Sequence, residues 1–100
     1  MGFTVDASTI EFQHTRRGVN ATATIVTEDG TPAGQVHDVA EMIVADVMFV
    51  SAEARVAFVA EARRVNPIVL GRADQNDDIF ASEYARALLA KAEQVLLAGI

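Results

Sequence analysis

The residues best suited by type and spacing to hold a metal are Asp74, Asn76 and Asp78, which stand at i, i+2 and i+4. That is the spacing of the first three oxygen ligands in an EF-hand calcium loop. The remainder of such a loop is missing. Ile79 stands where a glycine must make the sharp turn, and Ala85 where a bidentate glutamate should close the site. The string is therefore expected to be a polar loop that caps the helix after it. A second set, His37, Asp38 and Glu41, could do acid–base or metal chemistry if it lay on a helix, where His37 and Glu41 would be one turn apart. On a strand, His37 and Asp38 point to opposite faces and the set dissolves. The only other histidine, His14, falls in a different segment.

Arginines are the remaining reactive-looking group. Arg16-Arg17 is expected at a hairpin tip, where two guanidinium groups could reach a partner's carboxylates or phosphates. Arg63 and Arg64 suit the last turn of a helix, where cations complement the macrodipole. Gly30, Gly34 and Gly71 do not make a phosphate loop, because neither the spacing nor a following Lys-Ser/Thr is present. Ser8, Ser51 and Ser82 lack a nucleophile-elbow context. There is no cysteine, which rules out disulfides, thiolate catalysis and Cys-ligated zinc. No catalytic residue, cofactor or metal is expected.

The elements that would carry these residues change character near the middle of the chain. Residues 9–13 and 19–27 alternate apolar and polar, the second run placing Val19, Ala21, Ala23 and Ile25 on one face. Together residues 8–28 read as an antiparallel hairpin whose polar link, residues 14–18, ends in Gly18. Glu28-Asp29-Gly30-Thr31-Pro32 is a strong turn, and Pro32 cannot donate to a central ladder. Residues 36–50 fit either one helix, with Val36, Val39, Ile43, Val47 and Val50 on a face, or two strands around a loop near 40–46. The five valines and the serine that follows favour strands.

From residue 51 the pattern becomes helical. Ser51 is an N-cap, Glu53 lies in the first turn, and Asn66-Pro67 ends the helix. A last helix is expected over residues 78–98, capped by Asp77 or Asp78. Its apolar flank is Phe80, Tyr84, Leu88 and Leu97, continuing to Ile100. Leu96, Leu97 and Ile100 should pack on the sheet or on a second subunit.

These elements predict one α+β domain over residues 1–100. A three- or four-stranded antiparallel sheet occupies the strand-rich residues 1–50, and two helices in 51–100 pack on one of its faces. A net charge of −6 argues against a nucleic-acid binder, since phosphate contacts need clustered cations. Apolar stretches such as residues 47–50 are far too short to span a membrane, and the first residues lack a signal-peptide pattern, so a cytoplasmic protein is expected. Hydrophobic residues make up 51% of this small chain, more than one small core uses well, which points to apolar surface kept for a partner. The expectation is a non-enzymatic protein-interaction module that self-associates as a homodimer. It would act through Arg16, Arg17, Phe80, Tyr84, Leu88, Leu97 and Ile100, in the manner of a phage- or mobile-element-type inhibitor or adaptor. The alternative is a small-ligand-binding or enzyme-accessory domain with an apolar pocket between sheet and helices.

Overall fold

The longest alternating run becomes the centre of an antiparallel sheet. In the computed structural model, which describes residues 2–40, 45–65 and 76–98, the strands are β1 (Phe3–Val5), β2 (Glu11–Thr15), β3 (Gly18–Thr27), β4 (Pro32–Asp38) and β5 (Asp46–Phe49). Two helices follow, α1 (Ala52–Val65) and α2 (Asp77–Ala98). The result is an α+β architecture, with the sheet in the N-terminal part and both helices packed against it.

β3 buries Ala21, Ala23 and Ile25 and turns Thr22 and Thr24 the other way, as a period of two requires. One side of β3 pairs with β4. The other side is shared by β1, opposite Ile25 to Thr27, and β2, opposite Gly18 to Thr22. Between them a 3₁₀ turn at Ala7–Thr9 interrupts the edge. Asp6 caps this turn by accepting from the Ser8 amide at 3.0 Å and the Ser8 hydroxyl at 2.7 Å. The Thr24 amide donates to Thr9 Oγ1 at 2.9 Å, so a side chain replaces the missing ladder partner.

The β2–β3 link is tighter than its sequence suggests. Thr15 pairs directly with Gly18, leaving Arg16-Arg17 as a two-residue loop, and Gly18 takes a φ of 135° that side chains other than glycine's rarely adopt. β4 opens on Pro32, a position that needs no donor, and β5 completes the sheet. Residues 36–50 thus hold strands and not one helix, with residues 41–44 outside those described. β4 and β5 approach so closely at Gly34 that a Cβ there would lie 2.3 Å from the Met48 carbonyl oxygen.

Ser51 caps α1 by accepting from the Ala54 amide at 3.1 Å. α2 is capped by Asn76, which accepts from the Ile79 amide at 3.0 Å. Asp77 and Asp78, the caps expected from sequence, are instead engaged by arginines of α1: Arg63 with Asp77 and Arg55 with Asp78, at 2.6 and 3.0 Å. The core lies between the helices and the inner sheet face. Phe58, fully buried, meets Phe3, Tyr84 and Phe49 with ring centroids 5.0, 5.0 and 5.4 Å away, distances at which aromatic pairs add to simple burial. α2 contributes the stripe Ala81, Ala85, Leu89 and Ala92. Its Ser82 Oγ accepts from the Ala45 amide at 2.8 Å and anchors the chain entering β5.

Candidate interaction surface

The inner face of the sheet is covered at one end only. Phe12 pairs with Ala21 and His14 with Val19, so Phe12 and Val19 share the face that buries Ala21 and Ala23. Yet Phe12 is 48% exposed and Val19 46%. The β2–β3 hairpin therefore runs out from beneath the helices with its inward-facing apolar residues bare, and Arg16 and Arg17 stand exposed at its tip.

The same exposure marks the end of α2. This helix packs on β1, β4, β5 and the 3₁₀ turn, with Ser82 holding Ala45 at the entry to β5 and Arg86 donating to Asp38 at the end of β4 at 3.1 Å. Its last turns stand open to solvent. Val95 and Leu97 are 62% and 67% exposed there, and Leu96 38%. Of the two coverings expected for Leu96 and Leu97, the sheet or a second subunit, the sheet of the same chain leaves them exposed. Glu93, one turn before Leu97, has its carboxyl raised by burial and, secondarily, by the nearby Asp38.

The other expected contact residues are already used within the chain. Phe80 is buried against Ala62, with the Arg63 guanidinium 4.2 Å from its ring centre. Tyr84 packs on Phe58, and partial burial raises its hydroxyl above the ordinary tyrosine value. Leu88 is half-buried against the core. Of the α2 flank only Leu97 is open to a partner, and Ile100 lies outside the described residues. Sequence reasoning missed Phe12 and Val19. Their alternation marks them as inward-facing and carries no sign of where the helices stop.

Among the described residues the candidate chemical clusters do not assemble. His37 faces solvent on the outer face, beside Asp46 on β5, whereas Asp38 points inward to Arg86. Glu41 and Asp74 lie outside the described residues, and Asn76, Asp77 and Asp78 are occupied as above. Among the described residues no three histidine or acidic side chains gather to hold a metal ion. Ser8, Ser51 and Ser82 all serve turns, caps or anchors.

A second feature is a groove of about 590 Å³ on the flank of α1 away from α2. Ala54, Ala57 and Ala60 form one wall, and Phe3, Pro32 and Val50 the other. Glu61 lies in it, 7% exposed, with the Arg64 Nε donating to its Oε1 at 2.7 Å. The hydrogen bond and charge of Glu61 raise the Arg64 pKa further. No helix among the described residues is long and apolar enough to cross a membrane. No protein-family model, curated protein or solved structure matches the chain.

Proposed function

We propose that this protein is a non-enzymatic interaction module of the cytoplasm that binds protein partners, a second copy of itself first among them. Bare apolar side chains on two elements carry this reading: Phe12 and Val19 on the hairpin, and Val95, Leu96 and Leu97 at the end of α2. Neighbouring large apolar side chains left exposed on a small protein mark surface that a partner covers. Arg16 and Arg17 form a cationic margin to this surface on a chain whose net charge is −6, so an acidic neighbour, including another copy, would be held in register there. An inhibitor or adaptor of the phage or mobile-element type would use the same surface, by covering a partner and not by chemistry.

Size-exclusion chromatography with light scattering tests this. The expected mass is twice the 10.7 kDa of the chain, and Val19→Glu with Leu97→Glu should return it to one copy without unfolding it. A wild-type protein that stays at the mass of one chain across the accessible concentration range removes self-association from the reading.

The groove beside α1 favours a second reading, a small-ligand-binding domain. Its volume falls within the roughly 300–1,000 Å³ typical of ligand pockets, and its walls are mainly apolar.

A further inference from the structure

The groove holds one polar feature that its apolar walls do not explain. Glu61 is more than nine-tenths buried, and carboxylates are rarely buried unless every oxygen is satisfied. Arg64 uses both its Nε and its Nη2 on the same oxygen, Oε1. Oε2 accepts no hydrogen bond from the described residues, yet it is not among their sealed, unsatisfied atoms, which places it at the groove surface. The acceptor is therefore held in place by its partner oxygen and presented to whatever enters. Arg64 itself leans outward, with 71% of its side chain exposed. Glu53, in the first turn of the same helix, also lines the groove, so the lining holds two carboxylates and one guanidinium.

From this charge balance we infer that the groove is a binding site for a small apolar amine. The hydrocarbon or aryl body would lie along Ala54, Ala57 and Ala60, opposite Phe3 and Pro32, and the ammonium would donate to Glu61 Oε2. The alanine wall matters because it leaves the depth of the groove to the ligand, and Phe3 offers a ring edge to an aryl body. A carboxylate ligand would have only Arg64 to meet, and that cation is already neutralised by Glu61. The assignment rests on the second of the two readings above and is independent of self-association.

The test uses three probes of matched chain length, 3-phenylpropylamine, 3-phenyl-1-propanol and 3-phenylpropanoate, titrated into the whole chain while the alanine methyl resonances are followed. The amine should shift Ala54, Ala57 and Ala60 saturably and bind about tenfold or more tighter than the alcohol or the acid, the margin expected of a charge-assisted hydrogen bond. Glu61→Gln should bring the amine to the level of the alcohol, and Ala57→Trp, at an exposed position, should abolish binding by filling the groove. Equal binding of amine and alcohol overturns the amine assignment and leaves the groove as a site. Acid binding as tight as amine overturns it as well, and unmoved alanine methyls with all three probes overturn the groove reading too.

Discussion

Gly34 and Asn76 each hold a position that no neighbour could fill. At Gly34 an added methyl would collide with the backbone of Met48, not with a flexible side chain, so β4 and β5 must separate to admit it. Gly34→Ala should cost about 1–3 kcal/mol, the usual penalty of forced overpacking, read as a lower urea midpoint at unchanged slope. Asn76→Ala should cost roughly 1 kcal/mol through loss of the α2 cap, and Asn76→Asp should recover most of it. The sequence pointed to Asp77 or Asp78 as the cap and not to Asn76. Only the position of Arg55 and Arg63 on a separate helix, which no local pattern encodes, draws the two acids away. Asp29 makes a further prediction. The Thr27 hydroxyl and then Thr31 donate to its carboxylate, lowering its pKa from 3.8 to about 2. Because the folded value is the lower one, its contribution is fully present above the unfolded pKa near 3.8 and is lost as pH falls through about 2. Asp29→Asn should therefore flatten the fall in stability across that interval and leave the rest of the acid limb unchanged.

The elements were legible where their period ran long enough. β3 alternates over four inward residues, Val19, Ala21, Ala23 and Ile25, and the valines and serine around residues 47–51 place β5 and the start of α1 correctly. β1 was missed because Phe3-Thr4-Val5 is too short to display a period, and its status as a strand comes from pairing with the far end of β3. The flank of α2 was misread for a related reason. Leu and Ala surround much of this helix, so the choice between inner and outer residues depends on where the sheet lies beneath it. Phe80 near the start is covered, whereas Leu97 near the end is not. This contrast predicts a divergence between two phenylalanines. Phe58→Ala should destabilise the fold by about 3–5 kcal/mol, because it empties the centre of the aromatic cluster. Phe12→Ala should change thermal stability little and weaken self-association measurably in sedimentation equilibrium. Equal loss of stability in both would place Phe12 in the core and contradict its exposure.

For the whole molecule, charge and apolar surface act against each other. Two chains of net charge −6 repel as they approach, and dissolved salt screens that repulsion. An association held by Phe12, Val19 and Leu97 should therefore tighten as sodium chloride is raised. Loosening with salt would show instead that ion pairs from Arg16 and Arg17 carry the contact. The interrupted edge formed by β1 and β2 has its own consequence at this scale. A strand added along that rim needs an unbroken row of backbone groups, and here the 3₁₀ turn at Ala7–Thr9 breaks the row between the three residues of β1 and the five of β2. A copy that meets this rim can consequently add along β1 or along β2 but not along both in one straight ladder, a curb on edge-to-edge growth set by Asp6, Ser8 and Thr9.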